Sequence, residues 1–212
     1  MTYKEKTLGL ISAATLNNGI GHNGDLPWRL PLEMAYFNRV TKTVRSVHPE
    51  GALNAVIMGR RTWDSIPLKY RPFSGRINIV LSRNPAGIEV PEGVHVAQSI
   101  DAALARLDTL DQVVADLYVV GGGPVYAAAL AHPRAQHVFL TRIHADIPCD
   151  TFFPTMDPAL WVRKSHKDLE DHLGWEVREG MQEEKGISYE FSFWERVLGE
   201  EEKEERIVQE KE

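Results

Sequence analysis

The sequence predicts an α/β fold: a single domain with a mainly parallel central sheet, helices on both faces and an antiparallel C-terminal strand. Five short, nearly continuous apolar runs are typical of strands buried on both faces of a sheet, and they cover residues 7–14, 55–58, 77–81, 117–120 and 138–143. Helical patterns lie between or beside these runs, over residues 32–44, 60–65, 99–107 and 125–131. Because strands and helices alternate, crossover connections and a parallel sheet are expected. Residues 187–194 alternate apolar and polar side chains over most of their length, which is typical of an antiparallel strand near a sheet edge.

Length and composition indicate an ordinary globular protein. The chain has 212 residues, of which 43% are hydrophobic and 25% are charged. We expect one domain over residues 1–198 and a solvated acidic tail over residues 199–212, because residues 195–212 alone carry eight acids and four bases. The rest of the chain has no basic stripe, which argues against a nucleic-acid-binding protein. No apolar run approaches the roughly 20 residues that span a bilayer, so no membrane association is expected.

Cysteine usage and the first residues predict the compartment. Cys149 is the only cysteine, so it has no internal disulfide partner and a reducing compartment is favoured. Residues 1–6 lack the apolar core of a signal peptide. We therefore expect a cytoplasmic protein, and we expect it to be a monomer.

A glycine-rich loop over residues 19–28 precedes the first predicted helix. Three glycines in six residues let the loop bend sharply and let another molecule approach its backbone. On the helix that follows, Glu33, Met34 and Phe37 are spaced to face one cavity, into which Leu26 would close. A carboxylate among these apolar side chains is costly to bury, which favours a functional role. The alternative is an ordinary first-turn glutamate stabilised by the helix dipole.

The carboxyl ends of parallel strands are where ligands bind in such sheets, so the loops after Ala14, Met58, Leu81 and Val120 are the ones to inspect. Two of these loops carry arginine and hydroxyl side chains. The first contains Gly59, Arg60, Arg61 and Thr62, and the second contains Leu81, Ser82 and Arg83. Two arginine-bearing loops on neighbouring strand ends favour a phosphorylated ligand, whereas each loop alone would be read as surface charge.

The loop after Val120 is a cluster of three glycines that leads into a helix. This order of strand, glycines and helix suits a nucleotide site, but Tyr126 at its sixth position departs from the dinucleotide fingerprint. The alternative is a tight turn that needs small residues. Two further side chains each have two interpretations. Arg76 either binds a ligand carboxylate with its guanidinium or forms an ion pair at the strand edge. Thr141 is either a core hydroxyl or the hydrogen-bond partner of a buried carboxylate.

These motifs together resemble one known family. The loop at residues 19–28 closely resembles the active-site loop of dihydrofolate reductases, and Glu33 falls where that family keeps its catalytic carboxylate. The loops at residues 59–62 and 121–122 and the Phe-Leu-Thr-Arg stretch at residues 139–142 match the same family in the same order. The resemblance implies that Gly121 and Gly122 are joined by a cis peptide.

The implied reaction is reduction of 7,8-dihydrofolate to 5,6,7,8-tetrahydrofolate with NADPH, with Glu33 assisting protonation of the pterin ring. The catalytic residues would be Glu33, Trp28, Leu26 and Thr141. The NADPH-binding residues would be Ala13, Ile20, Gly21, Gly24, Asp25, Gly59, Arg60, Arg61, Thr62, Leu81, Ser82, Arg83, Gly122, Gly123, Val125, Tyr126 and Thr151. The substrate-binding residues would be Ile11, Ser12, Glu33, Met34, Phe37, Ser65, Ile66, Pro67, Phe73, Arg76, Val120 and Tyr126, and the same cleft would take antifolate inhibitors.

The resemblance covers most of the chain, from about residue 8 to residue 153 and again over residues 182–193. Residues 164–170 look like an insertion typical of fungal members of the family, and no fused thymidylate synthase is expected. Two alternatives stay open. One is an NADPH-dependent reductase of riboflavin biosynthesis with a related fold, and the other is a non-catalytic folate-binding protein on the same scaffold.

Overall fold

The computed structural model describes residues 7–197, and the predicted tail over residues 199–212 lies outside that part of the chain. Within it, the strands are β1 (Leu8–Thr15), β2 (Gly19–Gly21), β3 (Leu53–Gly59), β4 (Ile77–Leu81), β5 (Val94–Ala97), β6 (Val114–Val119), β7 (Ala135–His144), β8 (Thr151–Phe152), β9 (Trp161–Arg163), β10 (Gln182–Glu184) and β11 (Ile187–Arg196). The helices are α1 (Pro31–Lys42), α2 (Arg60–Ser65), α3 (Ile100–Leu107), α4 (Gly123–Leu130) and α5 (His166–Leu173).

The central sheet has the predicted architecture. Its strand order is β10-β11-β7-β1-β6-β3-β4-β5, with β9 paired to β11. The six strands from β7 to β5 are mutually parallel, whereas β11 runs antiparallel to β7, β9 and β10. The expected parallel sheet with an antiparallel C-terminal strand is therefore confirmed.

Helices cover both faces of this sheet because side chains along a strand point alternately to its two sides. On β3, Ala55 and Ile57 belong to one core cluster and Val56 and Met58 to the other. Helices α3 and α4 pack on the first face, whereas α1, α2 and α5 pack on the second. None of the helices within residues 7–197 is long and apolar enough to cross a membrane.

The elements that the sequence did not predict are short or weakly patterned. Strand β5 has four residues, and β2, β8, β9 and β10 have two or three each, too few for a period to be recognised. Helix α4 begins at Gly123 rather than at residue 125, because Gly123 and Pro124 are not typical helix formers and hide its first turn. Helix α5, which the sequence does not predict, begins with a capping box between Ser165 and Asp168, within the stretch that resembles an insertion.

Candidate active site

Glu33 lies in the first turn of α1, and its side chain is only 6% exposed. The Thr141 hydroxyl on β7 donates a hydrogen bond to Glu33 Oε1 at 3.1 Å, so the hydroxyl is the partner of a buried carboxylate. Burial raises the pKa of Glu33 to about 7; the Thr141 hydrogen bond opposes this shift and the charge of Glu184 adds to it. Within residues 7–197, Glu33 is thus a buried acid whose pKa is raised towards neutral pH by its surroundings.

The side chains expected to enclose this carboxylate do not all do so. Leu26 and Met34 are 43% and 38% exposed, and only Phe37 is partly buried. Met34 follows Glu33 by one residue, which turns it about 100° away around the helix and towards solvent. Glu33 and the partly buried Phe37 thus lie on the inner side of α1, whereas Leu26 and Met34 are open to solvent; their contact with substrate stays a prediction.

Three tyrosines lie near Glu33: Tyr126, which the sequence predicts as a site residue, and Tyr36 and Tyr189, which it does not. Burial raises the pKa of the Tyr36, Tyr126 and Tyr189 hydroxyls, and in each case the Glu33 charge raises it further. Tyr36 shares the buried face of α1 with Glu33, three residues on, and this helical spacing was the signal that could have identified it. Tyr189 comes from the far end of the chain and gives no local signal.

Trp28 packs with Leu30, Ile143 and Tyr189 and is 5% exposed. Its indole Nε1 is buried and has no hydrogen-bond partner among the described residues, and the same is true of the Tyr36 hydroxyl. Buried donors are nearly always paired in folded proteins. The unpaired Trp28 donor lies in the segment that leads into α1, and it is consistent with a polar ligand group nearby.

The glycine-rich loop is a tight turn pinned to the segment after β7. His22 and Asp25 exchange backbone hydrogen bonds of 3.0 Å across Asn23 and Gly24, whose φ angles are +51° and +80°. Asp150 holds this turn from outside, because its carboxylate accepts from the Asn23 backbone N–H at 2.7 Å. Strands β2 and β8 pair behind the turn, which brings Ile20, Gly21 and Thr151 together.

The two arginine-bearing loops are neighbours, as their positions after parallel strands predict. Gly59 and Leu81 are paired residues at the ends of β3 and β4, so the arginines that follow them emerge at the same edge of the sheet. Arg60, Arg61 and Arg83 are exposed. Two side chains here have internal partners: Arg60 lies 3.5 Å from Asp64, and the buried Ser82 hydroxyl bonds the backbone of Asn84 within its own turn.

The glycine cluster brings three chain segments into backbone contact. The Gly121–Gly122 peptide is cis, as the resemblance implies, and the Gly59 N–H donates to the Gly121 carbonyl at 2.7 Å. A Cβ on Gly122 would lie 3.2 Å from the Thr62 hydroxyl, and one on Gly123 would lie 2.9 Å from the Phe152 carbonyl oxygen. The tight-turn reading is therefore correct, and it is compatible with a nucleotide site at the same turn.

We expect the Gly123→Ala variant to be less stable by about 2 kcal/mol, because backbone at Phe152 must shift to accept a methyl group. Denaturant unfolding of the variant and of the wild-type protein measures the difference. Pro124→Ala, at an exposed position of the same turn, is the control. Equal stability of Gly123→Ala and wild type would contradict the close packing of this turn.

Arg76 is 9% exposed and has no ion-pair partner within 4.0 Å in the described chain. Its guanidinium donates to the Thr41 hydroxyl at 2.7 Å and to Asn38 Oδ1 at 3.3 Å, and it lies over the Phe73 ring. Burial lowers its pKa to about 10. The alternative of a strand-edge ion pair is thus wrong, and a buried cation is held by neutral groups. Asn38 and Thr41 were missed; Thr41 lies four residues after Phe37 and three after Asn38 on α1, and this helical spacing was the signal that could have identified them.

The other residues expected to bind substrate come from α1, from α2 and the segment after it, from β1 and from the end of β6. Phe37 and Phe73 pack edge to face with ring centroids 5.7 Å apart, and Ile66 belongs to the same core cluster. Ser65 and Pro67 are exposed on the adjoining loop. The end of β1 supplies buried Ile11 and Ser12 and half-buried Ala13, and the Tyr126 hydroxyl donates to the Ile11 carbonyl at 2.7 Å. Val120 follows β6, and Val125 packs over Gly59.

Fold and site together define the class: an α/β protein with arginine and glycine loops at the carboxyl edge of a parallel sheet and a buried glutamate on the first helix. The family model described as "Dihydrofolate reductase" matches residues 7–174. This chain belongs to the dihydrofolate reductase family, a family of oxidoreductases.

Relatives from fungi and animals agree with that assignment. The dihydrofolate reductase of Pneumocystis carinii is 40% identical over 205 residues, which cover 92% of this chain and 99% of the relative. That of Heliothis virescens is 47% identical over 152 residues, 71% of this chain and 80% of the relative. Among solved structures, the dihydrofolate reductase of Schistosoma mansoni superposes with a TM-score of 0.76 at 30% identity, covering 91% of this chain and 99% of that one.

Proposed function

We propose that this protein reduces 7,8-dihydrofolate to 5,6,7,8-tetrahydrofolate, with NADPH as the hydride donor and Glu33 as the group that assists protonation of the substrate. The observation that carries the proposal is the buried Glu33, held by Thr141 at 3.1 Å and titrating near pH 7, in a chain of this family. A carboxyl group with a pKa near the working pH is suited to moving a proton.

Glu33 has two tasks in this reaction. Its carboxylate would accept hydrogen bonds from the amidine-like edge of the pterin, and the pair is strong because one partner is charged and Glu33 is buried. Its raised pKa keeps a proton available near neutral pH. Glu33 can therefore assist protonation of the ring nitrogen within the closed cleft. Thr141 fixes the orientation of the carboxyl group by donating to Oε1.

NADPH, when bound, supplies the hydride, and the chain's own residues bind and orient it. The exposed Arg60, Arg61 and Arg83 carry positive charge at the ends of β3 and β4, and Gly59 and Gly122 let an anionic group approach the backbone. The residues present therefore fit a phosphorylated dinucleotide. The loop over residues 19–28 would cover the nicotinamide and exclude water.

Substituting Arg83 is expected to relax the preference for NADPH over NADH. In Arg83→Gln we expect the KM for NADPH to rise about tenfold, because a charge-assisted contact to the 2′-phosphate is lost, and the KM for NADH to change little. Steady-state kinetics with both cofactors measures the ratio, and Arg106→Gln, an exposed arginine of α3, is the control. A parallel rise for both cofactors would refute the role.

The direct test of the function is loss of nicotinamide absorbance when the protein is mixed with NADPH and 7,8-dihydrofolate, with and without methotrexate. Oxidation that methotrexate blocks is the expected result. Silence from a protein that still binds NADPH would favour the riboflavin-pathway reductase, whose substrate is then tested. A protein that gains thermal stability with folate but never turns over would be a non-catalytic binding protein. A monomeric state stays a prediction for a sizing experiment.

A further inference from the structure

The first turn of α1 lacks a cap of its own. Leu30, at the N-cap position, makes no side-chain capping bond, and Pro31 has no N–H to offer. The backbone N–H of Leu32 donates instead to Oε2 of Glu184, at 3.0 Å. The helix that carries Glu33 is therefore capped by a carboxylate from 152 residues further along the chain.

A tight hairpin brings Glu184 to this position. Glu184 and Ile187 are the last pair of the β10–β11 ladder, and the two residues between them, Lys185 and Gly186, have φ angles of +53° and +76°. Positive φ at both central positions is the geometry of a type I′ turn, which matches the twist of the strands it joins. The same strand β11 pairs Phe191 with Thr141 on β7. One hairpin thus places both Glu184 and the neighbour of Thr141.

Glu184 also acts electrostatically on Glu33. Its charge raises the pKa of Glu33, in the same direction as burial. The other titratable groups near Glu33 are the tyrosines of α1, α4 and β11, namely Tyr36, Tyr126 and Tyr189. Their raised pKa values leave them uncharged near neutral pH; Arg178 acts on Tyr189. The positive end of α1 favours an ionised Glu33, and a carboxylate at that end opposes it.

We propose that Glu184 is a positioning residue for Glu33: its carboxylate caps α1 from the C-terminal hairpin and places a negative charge at the helix turn that carries Glu33. The expected effect of Glu184 on turnover rests on the proposed function, whereas its role as the cap of α1 does not. Glu184 holds the backbone of Leu32, the residue directly before Glu33, so its bond fixes where the carboxyl group points. Its negative charge makes ionisation of Glu33 less favourable.

Glu184→Gln separates the two effects, because the amide oxygen still accepts from Leu32 while the charge is gone. We expect the alkaline limb of kcat/KM for dihydrofolate to move about half a pH unit lower, with KM for NADPH unchanged. Glu184→Ala should show this shift and also melt at a lower temperature, because the cap is lost. Glu183→Gln removes an exposed charge from the preceding residue, and it should change neither the alkaline limb nor the melting temperature.

A readout without turnover keeps this test distinct from that of the proposed function. The pH dependence of unfolding also reports the ionisation of Glu33, and we expect Glu184→Gln to shift it in wild type but not in a Glu33→Gln background. If the enzyme assay is silent but this shift is present, the proposed function fails and the role of Glu184 stands. Identical pH profiles of unfolding for Glu184→Gln and wild type would overturn the inference.

Discussion

Replacing Glu33 by glutamine is expected to lower kcat for dihydrofolate at pH 7 by about 100-fold or more, because the variant has no proton to exchange. Glutamine has nearly the same shape as glutamate, and its amide oxygen can accept the hydrogen bond from Thr141. The fold and the binding of NADPH should therefore be retained. Steady-state rates equal to those of the wild type would contradict the assignment of Glu33 as the proton-moving group.

The same substitution is expected to stabilise the protein above neutral pH. The pKa of Glu33 rises from 4.5 to about 7 on folding, so between these values the native state binds more protons than the unfolded chain. The free energy of unfolding therefore falls as the pH increases through this window. This difference in pKa corresponds to about 3 kcal/mol, and Glu33→Gln removes this loss.

Denaturant unfolding at pH 5 and pH 8 measures the effect. We expect Glu33→Gln to gain stability relative to wild type at pH 8 and to gain much less at pH 5. Glu50→Gln, which removes an exposed acid, is the control and should leave the difference between the two pH values unchanged. A variant that is less stable than wild type at pH 8 would contradict the buried, uncompensated carboxylate.

Replacing Arg76 by leucine is expected to weaken folate binding by about 2–4 kcal/mol, the scale for losing a charge-assisted pair in a buried site. The guanidinium is desolvated, which lowers its pKa to about 10, and only neutral acceptors hold it. A ligand carboxylate would supply the missing opposite charge. Thr41 keeps its own bond to the Phe37 carbonyl at 2.8 Å, so the α1 face should survive the substitution.

The specificity of this loss is what identifies the contact. Small pteridine inhibitors that lack the glutamate have no carboxylate to lose, so their affinity for Arg76→Leu should match that for wild type. Calorimetric titration with folate and with such an inhibitor gives both values. Lys69→Leu, at an exposed position of the loop after α2, controls for loss of positive charge near the cleft. Equal weakening of both ligands would refute the role of Arg76.

Periodicity was sufficient to predict five of the six parallel strands, because these are largely buried and have nearly continuous apolar sequences; it missed the four-residue edge strand β5. It also located the arginine loops, since the end of a strand can be read from the last apolar residue, as at Met58 and Leu81. The resemblance to a known family, rather than any local pattern, pointed to the roles of Glu33 and Arg76.

Contacts between distant segments could not be predicted in the same way. Nothing near Leu32 indicates that Glu184 caps its helix, and nothing near Asn23 indicates that Asp150 holds its turn. The exposure of Leu26 and Met34 could not be predicted either, because spacing on a helix gives the relative directions of side chains but not how deeply each is buried. These features depend on where the strands place each segment.

The pairing of Glu33 with Thr141 spans 108 residues, and the cap on α1 comes from a hairpin near residue 184. A ribosome releases the chain from its N-terminus, so α1 emerges long before either partner is synthesised. Until β7, β10 and β11 are in place, Glu33 has neither its hydroxyl partner nor its buried surroundings. A nascent chain that stops short of the last hairpin therefore holds an ordinary solvated glutamate, and the pairing of distant strands makes the acid of the site one of the last features to mature.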